Sequence, residues 1–284
     1  MELALGYDLE LTDEEYEYFA KLVYGLSGID LGANKKELVK ARLAKRMRVL
    51  QLKSYREYFE YLGRDEIGDE LVEMLNAIST NVTSFYRERQ HFDFMEKTAL
   101  PEIVARKKQL RNYKIRIWSA AASTGEEVCT LLFVLAGYFQ SLSEWDIKIL
   151  GTDISTKALR VAQNGVYTLQ KLNEIPPAIQ SKYVERCIQG NEQCFKIKDY
   201  LRDLSVFRRL NLMDQEYPFQ GKFDIIFCRN VMIYFDKETQ GRLVHRMCRY
   251  LDDSGYLFIG HSESLLNLQT GLTTVAPAVF KKLK

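Results

Sequence analysis

The chain has 284 residues, of which 46% are hydrophobic and 27% charged, and its formal net charge is +2. This length predicts about two domains. The hydrophobic fraction excludes an intrinsically disordered chain, and the near-neutral balance excludes a chain that binds polyanions through its overall charge.

Signals for membranes and disulfides are weak. The longest apolar run, residues 131–139, is shorter than the ~20 residues that cross a bilayer. The N-terminus is acidic and lacks the basic-then-apolar order of a signal peptide. The five cysteines include no C-x-x-C pair and are odd in number. We therefore expect a cytoplasmic protein with buried thiols, without membrane insertion, a disulfide framework or a zinc site.

Between residues 10 and 80 the sequence predicts four helices that form a small all-α domain. Thr12 and Glu15 form a capping box before the first helix. Asn34 can cap the second and Ser54 caps the third, and the apolar face of the fourth consists of Ile67, Leu71, Leu75 and Ile78. The inward face of the second helix is predicted to consist of Val39, Leu43, Met47 and Leu50. We set the end of this domain at residue 88.

The second helix has an unusually one-sided charge. Its seven cations stand against the single Glu37, and they are Lys35, Lys36, Lys40, Arg42, Lys45, Arg46 and Arg48. Such a run is most often a solvated face. However, like charges at i, i+4 repel each other, which is easier to understand if an anionic partner offsets the repulsion. Both interpretations stay open on the residues alone.

Residues 89–114 are predicted to form a linker helix. From residue 115 onward strands alternate with helices, which predicts a doubly wound α/β domain over residues 115–284. After the first strand, further strands are predicted at residues 146–153, 223–228 and 256–260, with a closing hairpin at 272–275 and 278–282. Some fifty residues before residue 223 break the alternation. We interpret them as one core strand plus an inserted antiparallel β-subdomain at about 183–200.

The first α/β unit carries the strongest ligand signal. A strand at Ile115 passes through small residues at 119–125 into a helix that begins with Glu126 and Glu127. Small residues let backbone N–H groups approach a ligand, and a helix N-terminus adds partial positive charge. The two glutamates argue against a pyrophosphate. S-adenosylmethionine, with an ammonium, a sulfonium and a ribose but no phosphate, fits better; an ordinary βα turn is the equally weighted alternative.

Polar residues also follow other predicted strands. Asp153 could bind ribose hydroxyls or cap the next helix, and Asn211 with Leu212 could contact an adenine or form a loop turn. Arg229 and Asn230 follow a fully apolar strand and are hard to explain as packing.

One tyrosine and the three histidines are further candidates for a catalytic role. Tyr234 could be a core residue with its hydroxyl at the surface. His91, His245 and His261 are too scattered along the chain to predict a triad or a metal site.

Six motifs together resemble the chemotaxis receptor methyltransferases, the CheR family, over nearly the whole chain. They are residues 80–87, 118–127, 152–154, 211–212, 227–235 and 260–263. The resemblance implies a Rossmann-like fold that transfers a methyl group from S-adenosylmethionine to glutamate side chains on cytoplasmic receptor helices, leaving S-adenosylhomocysteine. It implies no metal and no nucleic-acid partner, and we expect a monomer.

The resemblance also implies site residues. The cofactor would be bound by Asn81, Thr83, Arg87, Ala121 through its backbone, Glu126, Asp153, Asn211, Leu212, Arg229 and Asn230. Arg87 and Tyr234 would lie nearest the methyl and act as catalytic residues. Receptor glutamates would supply the anionic partner of the basic helix, through Arg42, Lys45, Arg46 and Arg48. Some members bind a receptor tail peptide through a Gly-rich turn in the β-subdomain, where this chain has only Gly190.

Glutamate as the acceptor is consistent with these residues. A glutamate carboxylate, with a pKa of about 4.3, is already ionised at pH 7 and needs no base. Two alternatives stay open on the sequence: a nucleic-acid methyltransferase, suggested by the basic helix, and a non-catalytic module of the same fold. An NAD dehydrogenase is disfavoured because the G-x-G-x-x-G motif is missing.

Overall fold

The computed structural model describes residues 10–64, 69–78, 82–266 and 270–283. Ile67 and Asn81, both named above, therefore lie outside the described residues. The chain divides into two compact units at the junction of residues 80 and 81, ahead of the boundary predicted at residue 88. Among the described residues, we find no helix with the length and apolar character that crossing a membrane requires.

The first unit is all-α, as predicted. Its helices are α1 (Asp13–Ser27), α2 (Lys36–Leu50), α3 (Tyr55–Gly63) and α4 (Asp69–Ile78). The capping box forms at the start of α1, where the Glu15 N–H donates to Thr12 Oγ1 at 3.2 Å and the Thr12 N–H donates to Glu15 Oε2 at 2.9 Å. The core includes Phe19, Leu43 and Tyr58, each without exposed surface.

The second unit begins with one continuous helical segment. It consists of α5 (Gln90–Phe94), a π-helical turn (Met95–Ala99) and α6 (Leu100–Gln109). Phe92, Met95 and Ile103 are buried in the same hydrophobic cluster as the central strands. The segment predicted as a linker helix is thus part of the α/β core, because its apolar face covers the sheet.

A seven-stranded sheet forms the centre of the second unit. Its strands are β1 (Lys114–Ser119), β2 (Asp146–Asp153), β6 (Ser205–Arg209), β7 (Phe223–Cys228), β8 (Leu251–Ile259), β9 (Leu272–Ala276) and β10 (Val279–Lys282). The order is β6-β2-β1-β7-β8-β10-β9, with the first five strands parallel and β10 antiparallel to both its neighbours. This confirms the predicted doubly wound α/β fold, in which the strand order reverses between β1 and β7.

Helices cover the sheet because its central strands are apolar on both faces. All six residues of β7 are buried, as expected for a parallel strand between two helical layers. The crossover helices are α7 (Glu126–Tyr138), α8 (Thr156–Asn164) and α11 (Lys237–Tyr250). Asp236 caps α11, accepting from the Thr239 N–H at 2.9 Å.

A second, antiparallel sheet contains the inserted β-subdomain. Its strands are β3 (Val166–Thr168), β4 (Val184–Gln189) and β5 (Glu192–Ile197), in the order β3-β5-β4, and the helices α9 (Pro177–Tyr183) and α10 (Asp199–Arg202) flank the β4–β5 hairpin in the chain. The hairpin lies within the predicted range of 183–200. Strand β3 lies outside it, since three residues are too few to give a period-two signal.

The cysteines differ from expectation. Cys187 and Cys194 lie opposite each other on β4 and β5, with Cα atoms 5.1 Å apart, and their sulfur atoms are bonded. The expectation of thiols without a disulfide is therefore wrong for this pair, because strand register brings together two residues that no spacing motif connects. Cys129, Cys228 and Cys248 are free.

Candidate functional site

The carboxyl ends of the parallel strands bring the predicted site residues to one edge of the sheet. In a doubly wound sheet, ligands bind at this edge near the point where the strand order reverses. Asp153 ends β2, Arg229 and Asn230 follow β7, and Asn211 follows β6. The loop from β1 to α7 lies among them, because β1 is the strand between β2 and β7.

Hydrogen bonds to both neighbouring strands fix the β1–α7 loop. The Ala120 N–H donates to the Phe227 carbonyl and the Ala122 N–H to the Thr152 carbonyl, each at 2.8 Å. Ala121 lies between these anchors and is partly exposed. The loop ends at Gly125, with a φ of 94° and an ideal Cβ position only 2.8 Å from the Ala162 Cβ. A larger residue would therefore clash with α8 as well as adopt an unfavourable φ.

Asp153 links this loop to the next helix. Its Oδ2 accepts the Ser123 N–H and its Oδ1 accepts the Ser155 N–H, both at 2.8 Å. Burial raises the pKa of the Asp153 carboxyl, and the backbone N–H donors oppose this rise. Each carboxylate oxygen can accept a second hydrogen bond, so Asp153 can organise the turn and still bind a hydroxyl.

Glu126 opens α7 and is fully buried. One carboxylate oxygen is bound by the ammonium of Lys171, which belongs to the 3₁₀ helix Leu169–Glu174, and the other accepts the Thr124 hydroxyl at 2.6 Å. This carboxylate therefore already binds an ammonium group in the structure.

Asn211 and Leu212 form the turn after β6. Asn211 Oδ1 accepts the Met213 N–H at 3.0 Å, which is the loop-turn arrangement that the sequence left open. Leu212 is buried, and its carbonyl accepts from Tyr217 at 2.8 Å and from Arg246 at 2.7 Å.

Arg229 is held inside the unit by two carboxylates. Its side chain is only 2% exposed, and it donates to Glu127 at 2.9 Å and to Glu88 at 3.1 Å. It also donates to the Arg87 carbonyl oxygen. Burial raises the pKa of Glu127, with Arg229 opposing the rise. These ion pairs explain a charged residue after an apolar strand, and they bring residues 87 and 88 to the carboxyl end of β7.

Glu88 also brings together two histidines that the sequence analysis treated as scattered, which was wrong for this pair. His91 is buried, its Nδ1 is 3.4 Å from Glu88 Oε2, and its ring centroid is 4.6 Å from that of His261. Ligand atoms of these three residues lie within 4.8 Å of one another, a spacing that could hold a metal ion. The adjacent Arg229 guanidinium opposes a cation there.

Asn230 starts the loop that leads to Tyr234. Its φ of 57° lies in the left-handed region, which asparagine tolerates better than most residues. Its side-chain amide donates to Glu88 at 3.1 Å, and Tyr234 ends the 3₁₀ turn Met232–Tyr234. The backbone N–H groups of this loop point to Glu263, a residue that the sequence analysis did not name individually. Its place in the motif at 260–263 was the available signal.

The segment at 82–88 carries two more predicted residues. Thr83 and Arg87 are both partly buried, and Arg87 donates from Nη1 to the Val82 carbonyl at 3.0 Å. The Arg87 carbonyl accepts a hydrogen bond from Arg229. Asn81, as noted, lies outside the described residues.

In the first unit, α2 buries Val39, Leu43 and Met47 as predicted, and Leu50 is partly buried. Its four receptor-contact candidates differ in exposure. Lys45 and Arg48 are exposed. Arg42 donates to the Ile78 carbonyl, and Arg46 forms a two-oxygen ion pair with the buried Glu70. Arg46 therefore has a structural role within the unit, since it neutralises a buried carboxylate.

The parallel sheet reverses its strand order beside β1, an acidic residue ends β2, and two glutamates open the helix after β1. These features define a nucleoside-binding domain of the S-adenosylmethionine-dependent methyltransferase class.

Comparisons with known proteins support this class of protein. The chain matches the family models described as "CheR methyltransferase, SAM binding domain" over residues 81–279 and "CheR methyltransferase, all-alpha domain" over residues 14–79. A chemotaxis protein methyltransferase of Borreliella burgdorferi is 38% identical over 97% of this chain and 96% of that protein. Chemotaxis protein methyltransferase 2 of Pseudomonas aeruginosa is 38% identical (96% and 94%), and the chemotaxis protein methyltransferase of Escherichia coli K12 is 33% identical (96% and 92%).

The chain belongs to the CheR methyltransferase family, which confirms the resemblance found in the sequence. Its function is S-adenosylmethionine-dependent methylation in chemotaxis, and neither a nucleic-acid methyltransferase nor a non-catalytic module is favoured.

Proposed function

We propose that the protein methylates glutamate side chains of chemotaxis receptors, giving glutamyl methyl esters. The observation that carries the proposal is that two buried carboxylates, Asp153 at the end of β2 and Glu126 at the start of α7, lie at the carboxyl edge of the sheet. The family and the exposed cations of α2 support the same acceptor, a helix that bears several glutamates.

The residues at the sheet edge fit S-adenosylmethionine. Glu126 already binds the Lys171 ammonium, so its carboxylate suits the ammonium of the cofactor's amino-acid end. Asp153 would hold the ribose hydroxyls with its remaining lone pairs. Asn211 and Leu212 would lie beside the adenine, and Ala121 would bind through its backbone. The remaining candidates are Asn81, Thr83, Arg87, Arg229 and Asn230.

When bound, the cofactor supplies an electrophilic methyl group on a sulfonium. The receptor carboxylate is ionised at neutral pH, so the protein has no proton to remove and needs no general base. Its task is to align carboxylate and methyl and to exclude water, because charge disappears as the two groups combine. Arg87 would orient a carboxylate, and Tyr234 would donate to it or line the path of the methyl.

Methyl transfer to a receptor fragment tests the proposal. We expect label from methyl-labelled S-adenosylmethionine to enter cytoplasmic receptor fragments in a base-labile form, as an ester requires. Stable label, or label in nucleic acid only, would contradict glutamate as the acceptor.

The roles of Arg87 and Tyr234 require separate variants. Arg87→Ala and Tyr234→Phe should lower the single-turnover rate more than they weaken cofactor binding, because both act on the reacting groups. If either variant turns over at the wild-type rate with saturating receptor, that residue loses its assigned role.

A further inference from the structure

One carboxylate, that of Glu263, accepts four backbone N–H groups. Its Oε1 accepts from Met232 at 2.7 Å and from Ile233 at 3.3 Å. Its Oε2 accepts from Asn230 at 3.1 Å and from Gly260 at 2.5 Å. Three of these donors belong to the loop that leads from β7 to Tyr234. Glu263 therefore gathers the N–H groups of that loop around a single charge.

The carbonyl groups of the same loop are held from the other side. The Gln240 side chain on α11 donates to the Met232 and Phe235 carbonyls, each at 2.9 Å. The 3₁₀ turn that ends at Tyr234 thus lies between two side chains. Glu263 accepts hydrogen bonds from its N–H groups, and Gln240 donates hydrogen bonds to the carbonyls of Met232 and Phe235. The conformation of the turn is fixed by side chains outside it.

The geometry requires a glutamate. A carboxylate has about four lone-pair sites and no donor, which matches four N–H groups. A glutamine would direct an NH₂ group at one of the two N–H pairs, and an aspartate is one methylene too short to reach both. The approach is also close, since an ideal Cβ at Gly260 would lie 2.9 Å from Glu263 Oε2 and 2.6 Å from Asn230 Nδ2.

We infer that Glu263 is a positioning residue that places Tyr234 for methyl transfer by gathering the backbone N–H groups of residues 230, 232 and 233. The inference rests on the proposed function, since it gives Tyr234 a part in the reaction. Glu263 itself touches neither substrate nor cofactor in this assignment.

A double-mutant cycle tests the inference. We expect Glu263→Gln to lower kcat on the order of 100-fold, the effect of misplacing a reacting group by about 1 Å. The dissociation constant for S-adenosylmethionine should change much less, because Asp153 ends β2 and Glu126 opens α7, outside the loop that Glu263 holds. In a Tyr234→Phe background, Glu263→Gln should add little to the loss already present.

Controls separate positioning from folding. Ser262→Ala changes the exposed neighbour of Glu263 and should leave kcat unchanged. If Glu263→Gln does not fold, as judged by circular dichroism, Glu263→Asp keeps the charge and enters the same cycle. If the Glu263 variant lowers kcat by the same factor in the wild-type and Tyr234→Phe backgrounds, the inference is overturned and the proposed function is not affected. Wild-type turnover by Tyr234→Phe would overturn the role of Tyr234 and the inference with it.

Discussion

Asp153 illustrates how one residue can serve the fold and the ligand together. Its oxygens already accept two backbone N–H groups, so an alanine would disturb the turn as well as the site. Asp153→Asn keeps the shape and one acceptor, and it turns an NH₂ group toward only one of the two backbone donors. We expect it to weaken S-adenosylmethionine binding by roughly 1–3 kcal/mol, because one ribose hydroxyl loses its acceptor. Titration calorimetry measures the change.

The matched control is Asp146→Asn at the opposite end of β2. Asp146 is half exposed and pairs with Arg116, away from the carboxyl edge. It should leave cofactor affinity at the wild-type value. Unchanged affinity in a folded Asp153→Asn variant would remove Asp153 from the cofactor site.

His91 makes stability depend on pH. Burial, followed by the positive charge of Arg229, lowers the pKa of His91 to about 4, while Glu88 opposes the shift and the exposed His261 adds to it. The unfolded chain takes up a proton near pH 6.5 and the folded chain does not. The stability present above pH 6.5 should therefore fall as the pH drops to about 4, by at most roughly 3 kcal/mol.

The comparison variant is His91→Phe, which has no proton to bind. Denaturant unfolding at several pH values should give a shallower loss between pH 6.5 and 4 in this variant than in the wild type. Equal slopes in the two proteins would show that His91 does not contribute to the acid sensitivity.

At the scale of the elements, helix α2 carries both solvent-exposed cations and a cation that is paired within the unit. Lys45 and Arg48 are exposed, whereas Arg46 neutralises the buried Glu70. We expect Lys45→Glu with Arg48→Glu to raise the KM for receptor several-fold and to leave S-adenosylmethionine affinity unchanged, because charge repulsion replaces attraction. Methylation assays at several salt concentrations measure this, and salt should weaken wild-type binding as well.

Arg46→Leu provides the contrast for these reversals. It should destabilise the protein by about 1–3 kcal/mol, since the buried Glu70 loses its ion pair but still accepts the Tyr58 hydroxyl. If neither added salt nor the charge reversals at Lys45 and Arg48 change receptor binding, the exposed face of α2 contacts only solvent.

The sequence predicted well those elements whose signals are local. Strand β7 was predicted residue for residue, because six consecutive apolar or buried positions lie between polar turns. The start of β8 was missed, since the polar residues 252–254 mask its first half, and the structure begins the strand at Leu251. The π-helical turn at 95–99 was predicted as part of an ordinary helix, because its residues show no pattern that distinguishes it from an α-helix.

Pairings between distant residues explain most of what the sequence missed in the site. Arg229 reaches Glu88 across 141 positions, and Glu263 binds Asn230 across 33. A sequence shows the polar residues but not their partners. The strand-end residues were predictable, because the doubly wound fold itself brings them to one edge.

At the scale of the whole molecule, the division at residues 80 and 81 coincides with the gap between the two family models, which end at 79 and begin at 81. Each unit buries its own aromatic and aliphatic core. The basic α2 and the sheet edge thus belong to separately built units, so a substitution in one should leave the internal packing of the other intact.

The Cys187–Cys194 disulfide would keep the two parts of the chain covalently joined after proteolytic cleavage between these cysteines. Glu192 is exposed and lies between the two cysteines. A glutamate-specific protease that cuts after Glu192 alone would yield pieces of residues 1–192 and 193–284. The first piece carries β1 and β2, and the second carries β6, β7 and β8. We expect the nicked protein to migrate as one band on a denaturing gel without reductant and as two bands with it. Cys187→Ser should give two bands in both lanes, and separation of the wild-type pieces without reductant would contradict the cross-link.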